Sequence, residues 1–210
     1  MKRREHIEWC NVWVPGAKDG PGLPRILIAG DSIAQSYFDG VEKRLEGRFR
    51  CARLTTSRCA GDPQLKRELA MLLEEFRFSV IHFNNGLHGW DFTEAEYAKG
   101  LAGALDFIRA RSPESLLLWA STTPVWSAGA SGALDEATTR RVRERNRLAR
   151  KIAAARRIAV NDLFPAVIGR RDMVSQDGVH FMPAGQQALA ERVARFILRH
   201  AKCDRIRRSG

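Results

Sequence analysis

Apolar residues along this chain follow two alternating rhythms. Short continuous runs bounded by glycine, proline or polar residues read as buried strands, and segments where apolar residues return every few positions read as helices. Residues 26–29 form the first clear run, which stops at Gly30-Asp31-Ser32. Ile33, Tyr37, Val41 and Leu45 then recur at a spacing that makes one helical face. Further strands are predicted at 51–54, 78–83, 116–120 and 158–160, with helices over 65–76, 93–108 and 134–155 between them. Asp62 before Pro63 is a helix-start signature, and Thr93 with Glu96 forms a capping box. A short helix over 163–168 and a last helix from Pro183, with Leu189, Val193, Phe196 and Ile197 in one stripe, complete the pattern. Residues 7–14, with Ile7, Trp9 and Trp13 on one parity, are expected as an edge strand or an extended arm.

Strand and helix patterns alternate about five times, which predicts an α/β fold with a parallel sheet of about five strands covered on both faces. A chain of 210 residues without an internal composition shift is expected to hold one domain. Its boundaries are read as an N-terminal arm over 1–24, the domain over 25–200 and a basic tail over 201–210. Neither G-x-x-x-x-G-K-[ST] nor a post-strand G-x-G-x-x-G occurs, so nucleotide binding is not supported.

The formal net charge of +11 brings an anionic partner into view. The excess gathers between Arg140 and Arg157, where Glu144 is the only acid, and again from Arg195 to Arg208. No nucleic-acid motif accompanies it, so a solvated helix face and a basic tail are expected, and nucleic acid is not. The first residues lack the apolar core of a signal peptide and no run is long enough to span a membrane, which reads as a soluble, cytoplasmic protein. Cys10, Cys51, Cys59 and Cys203 lack zinc-site spacing and are expected as thiols.

Candidate chemistry begins at Ser32. A serine at the tip of a buried parallel strand stands where open α/β sheets bind ligands, although Asp31 or Ser32 could equally cap the helix. Asp177 and His180, three apart before the last helix, can act as an orienting acid and a base for a serine proton. Gly61, after the second strand, can offer an unobstructed backbone N–H to an oxyanion. Asn84, Asn85 and His88, after the third strand, can offer side-chain donors, or serve only as turn and surface residues. Asp31, Trp90 and Trp126 are the candidate substrate contacts, the two tryptophans either stacking on a sugar ring or covering the core. Trp119 and His82, inside strands, are expected in the core.

On these residues the sequence resembles the SGNH or GDSL-type serine hydrolases, from about Arg25 to the end of the last helix. Gly30-Asp31-Ser32 is similar to the family's first block, the loop to Gly61 to its second, and Asp177-Gly178-Val179-His180 to its last. The third block departs from G-x-N-D, with His88 where the asparagine is expected, so His88, Asn85 and Asn84 all stand as oxyanion candidates beside Gly61 and Ser32. Phe-Asn-Asn-Gly-Leu-His is similar to a subgroup of carbohydrate-ester hydrolases. The resemblance implies a three-layer α/β/α sandwich of flavodoxin-like appearance and an acyl-enzyme on Ser32, with no metal or cofactor. The leading expectation is an esterase removing a small acyl group, acetyl first, from a carbohydrate. A lipase- or thioesterase-like hydrolase and a non-catalytic module for anionic glycans or nucleic acid are the alternatives.

Overall fold

Ile26, Leu27, Ile28 and Ala29 are fully buried, as a strand covered on both faces requires. The computed structural model describes residues 5–18, 22–129 and 132–208, with the side chains of the last helix described as far as Ala201. Among the described residues six strands form one sheet: β1 (Cys10–Trp13), β2 (Arg25–Gly30), β3 (Arg50–Thr56), β4 (Val80–Asn84), β5 (Leu116–Ala120) and β6 (Ala159–Asn161). Their order is β1-β3-β2-β4-β5-β6. β2 to β6 run parallel, matching the expected five. The arm adds β1 as an antiparallel edge on β3, from Cys10 opposite Thr56 to Trp13 opposite Arg53. Ile7 lies outside this strand and is exposed, so the hydrophobic parity seen over 7–14 extends beyond the paired segment.

Six α-helices are described: α1 (Ser32–Leu45), α2 (Gln64–Leu73), α3 (Glu94–Arg111), α4 (Glu136–Ala155), α5 (Phe164–Val167) and α6 (Pro183–Arg208). Successive strand side chains point to opposite faces, and this divides the core in two. Ile26, Ile28 and Leu118 meet Tyr37 and Val41 of α1 and Val193 of α6. Leu27, Phe83 and Trp119 meet Leu69 of α2, Leu101 of α3 and Ala153 of α4. Helices therefore lie on both faces of the sheet, the three-layer sandwich expected.

Local signals explain the helix starts. The Asp31 side chain accepts the Ile33 N–H at the head of α1, and Thr93 and Glu96 form the reciprocal capping box of α3. The Asp62 carboxylate accepts the Gln64 N–H at 2.8 Å, ahead of α2. α6 continues as helix through Arg208, and side chains beyond Ala201 lie outside the described residues. The basic α4 and its C-cap are extensively ion-paired, through Arg141 to Glu94, Arg147 to Glu144 and Arg150 to Asp162 from the helix and Arg156 to Asp106 at the cap. No helix among the described residues is long and apolar enough to cross a membrane.

Chain order positions the site. From β2 the chain goes by α1 to β3 on one side, then by α2 back across to β4 on β2's other side. The strand order thus reverses at β2, and a crevice opens beyond its carboxyl end. Ser32 stands at that end.

Candidate active site

Ser32 is the first residue of α1, so its N–H belongs to the helix start, where amides lack an intrahelical acceptor. Gly30 allows the close packing beneath it. A Cβ there would lie 2.7 Å from the Ala34 Cβ and 3.2 Å from the Asn84 carbonyl oxygen. Asp31 is fully buried and caps the helix, which corrects its assignment as a substrate contact: its carboxylate faces inward. Capping and nucleophile are not alternatives here, because Asp31 supplies the cap and leaves the Ser32 hydroxyl free for other work.

The Ser32 hydroxyl lies 2.8 Å from Nε2 of His180, and Nδ1 of His180 lies 2.6 Å from Oδ2 of Asp177. With the carboxylate accepting from Nδ1–H, Nε2 is left to accept the serine proton. The other Asp177 oxygen accepts from the Ser175 hydroxyl at 2.6 Å, the Val179 N–H at 2.8 Å and the His180 N–H at 2.9 Å. Burial alone would raise this carboxyl's pKa, but the hydrogen bonds from Ser175, His180 and Val179 outweigh it and hold the group well below the usual carboxylate range. Ser175, two residues before the acid, was not singled out from sequence; its proximity to Asp177 was the available signal.

The loop carrying this pair is braced from outside. Gly178 adopts φ 77° and packs against the Trp126 carbonyl, an approach that a side chain would block. The Trp126 N–H donates to the Gly178 carbonyl at 2.8 Å, and Arg171 donates to the carbonyls of Val174, Ser175 and Gly129. Trp126 itself is buried with its ring edge-on to Phe181, the position of the core-covering alternative for this residue.

The second and third loops meet beside this centre. The Gly61 N–H faces the Cys59 sulfur at 3.2 Å, a weak acceptor, within a turn closed by Asp62 N–H to the Cys59 carbonyl. Asn85 is buried and spans both loops: its amide accepts from the Ala60 N–H and donates to the Arg58 carbonyl, each at 2.8 Å. The amide oxygen and one of its two N–H donors thus brace the second loop. Asn84 sits at the tip of β4, where it abuts Gly30, and its amide nitrogen donates to the Ala120 carbonyl at 3.0 Å. The same nitrogen also donates to the Ser121 carbonyl at 3.4 Å, a long bond that is the weaker of the two. His88 is four residues farther along, in the loop, beside Glu5 and Trp9 of the arm.

A buried arginine holds the third loop. Arg145 of α4 is fully buried and donates to the carbonyls of Gly86, His88 and Gly89 at 2.8–3.0 Å. Its guanidinium carbon lies 4.4 Å from the Trp90 ring centre and 4.8 Å from that of Tyr97. Burial pushes its pKa down from the usual arginine value, with Cys59, Tyr97 and Glu94 opposing that shift. Sequence reading left it among solvated charges; its spacing with Val142, Ala149 and Ala153 on one buried face was the missed signal. Trp90 lines a cleft of about 90 Å³ with Phe92, Glu5, Glu8, Asp62 and Asp91. His82 and Trp119 are core residues, as expected. Burial lowers the His82 pKa to about 3, and its Nε2 lies 3.1 Å from the Asn161 amide.

This fold is the SGNH hydrolase fold. A carbohydrate esterase of family 3 from Talaromyces cellulolyticus superposes with a TM-score of 0.68 at 13% identity, over 86% of this chain and 99% of that one. A Slackia heliotrinireducens chain that carries the SGNH hydrolase name gives 0.62 at 20% identity, over 83% and 98%. A lipase/acylhydrolase from Enterococcus faecalis gives 0.64 at 18% identity, over 83% and 95%. No protein-family model matches the sequence. No curated protein matches it either.

Proposed function

We propose that this protein is a serine esterase that removes a small acyl group, acetyl in the first instance, from a carbohydrate. The observation that carries the reading is the hydrogen-bonded line Ser32–His180–Asp177 at the carboxyl end of β2. Ser32 attacks the ester carbonyl while His180 takes its proton at Nε2, and Asp177 stabilises the imidazolium that forms. The oxyanion is received by the N–H groups of Ser32 and Gly61 and the amide of Asn84. Asn84 is favoured over His88 because it adjoins Gly30, two residues before the nucleophile. His180 then protonates the departing alcohol, and water activated by the same imidazole clears the acyl group.

Two observations support a small acyl group on a polyhydroxy alcohol over a fatty chain. The cleft beside the second and third loops carries Glu5, Glu8, Asp62 and Asp91 with Trp90 and Phe92, a lining of acceptors and aromatic faces suited to sugars. The Talaromyces neighbour is a carbohydrate esterase. The test is hydrolysis of p-nitrophenyl acetate and a longer-chain ester, with fluorophosphonate labelling, by wild type, Ser32→Ala and His180→Ala. Acetate turnover and labelling in the wild type alone are expected. Absence of both in the wild type overturns the reading, and faster turnover of the long-chain ester transfers it to a lipase.

A further inference from the structure

The N-terminal arm lies outside the part of the chain that resembles the hydrolases, yet it is tied into the site from several sides. Asn11 donates to the Gln35 side chain at 2.9 Å, one turn along α1 from Ser32. Trp9 exchanges bonds with the second loop, its N–H to the Ser57 hydroxyl at 3.0 Å and its carbonyl from the Ser57 N–H at 3.1 Å. Glu8 pairs with Arg58 at 2.7 Å. At the third loop, the Glu5 carboxylate accepts the Gly89 N–H at 2.6 Å.

The same Glu5 oxygen lies 3.5 Å from Nδ1 of His88, and Trp9 presents its ring roughly perpendicular to the imidazole, 6.3 Å between centres. Arg145 meanwhile grips the His88 carbonyl. The ring is thus set from both sides of its backbone, by an element 84 residues away in sequence. The Glu5 carboxylate faces Nδ1, which leaves Nε2 as the ring nitrogen available to an outside partner. Nε2 has no partner among the described residues, and the side chain is 19% exposed. An imidazole nitrogen so placed can share a hydrogen bond with a hydroxyl, which both donates and accepts. Glu5 also lines the cleft described above.

We propose that His88, oriented by Glu5 as a positioning residue, determines specificity through a hydrogen bond between its Nε2 and a free hydroxyl of the carbohydrate ester. This rests on the esterase reading and deepens it: the preferred substrate is a partially acylated glycan that retains hydroxyls near the scissile ester. The bond forms in the Michaelis complex, so it acts on KM.

Two esters of one glycan test the inference: monoacetylated xylobiose, which keeps free hydroxyls, and fully acetylated xylobiose, which has none. His88→Ala should raise KM for the first about tenfold with kcat within threefold, and so reduce the preference for the first ester over the second about tenfold. Glu5→Ala should reduce that preference about threefold, and the double variant should be no worse than His88→Ala alone. Equal losses on both esters, a fall in kcat at constant KM, or an unchanged preference each overturn the inference. Fluorophosphonate labelling of wild-type Ser32 distinguishes the failures. A labelled enzyme with unchanged preference in the variants overturns the hydroxyl contact alone, whereas an unlabelled protein that hydrolyses neither ester overturns the esterase reading and the contact with it.

Discussion

Nε2 of His180 stands 2.8 Å from Oγ of Ser32 across a sequence separation of 148 residues. The contact requires the start of α1 and the loop before α6 to meet at one edge of the sheet, and α1 packs directly on α6. Ser32→Ala or His180→Ala should lower kcat for p-nitrophenyl acetate by about a thousandfold or more, with Tm within a few degrees of wild type. Steady-state kinetics and thermal melts check both halves.

Ser175 completes the set of donors on the Asp177 oxygen that does not face the His180 ring. Ser175→Ala leaves the two backbone donors in place. It should therefore cost about tenfold in kcat with KM little changed, a loss comparable to one hydrogen bond to a charged group. Asp177→Asn, which favours the wrong tautomer of His180, should cost several orders of magnitude more than water-exposed carboxylates elsewhere on the chain. Because its hydrogen bonds hold Asp177 well below the usual carboxylate range, it stays ionised through the weakly acidic range. Protonation of Asp177 itself therefore sets no acid limb in that range, and Asp177→Asn should lower activity throughout it.

Asn84→Ala should lower kcat about a hundredfold at near-constant KM, the signature of a donor that acts on the transition state. Retained kcat in Asn84→Ala would return the oxyanion role to His88. The comparison needs only the small aryl ester, which has no hydroxyl for His88 to recognise.

Arg145→Met removes the donor to three loop carbonyls while keeping much of the side-chain volume. It should destabilise the protein by about 3 kcal/mol, since buried carbonyls lose their partner, and this is read from urea unfolding. Arg145→Lys, a single compact donor group, should recover only part of that loss.

His82 offers a test of stability against pH. Its folded pKa lies near 3, below the value of about 6.5 for an exposed histidine, so the unfolded chain takes up a proton that the folded chain refuses. Stability from this residue is therefore complete above about pH 6.5 and is lost on acidification, by about 1.4 kcal/mol per pH unit, until the folded pKa is reached. His82→Gln, which can keep a bond to Asn161, should flatten the slope measured by chemical denaturation between about pH 6 and 4.

Much of this protein is determined by local sequence. Ile26 to Ala29 makes a strand because every side chain is apolar and the run is short, α1 begins where Asp31 can cap it, and Thr93 with Glu96 opens α3. The Asp177–His180 pair is equally local, since only Gly178 and Val179 separate acid and base. What only the tertiary structure decided depends on which distant groups share an edge. Asn84 rather than the loop residue His88 adjoins Gly30 because strand register, not motif spacing, sets what lies next to the strand tip. Trp126 turns inward because the Gly178 loop needs its backbone, and Arg145 is buried because the carbonyls of the third loop converge on its face of α4. Glu5 reaches Gly89 because β1 pairs with β3 and carries the arm across the second loop. Periodicity records which face of an element is buried; it carries no information on which polar atoms meet once those faces are packed together.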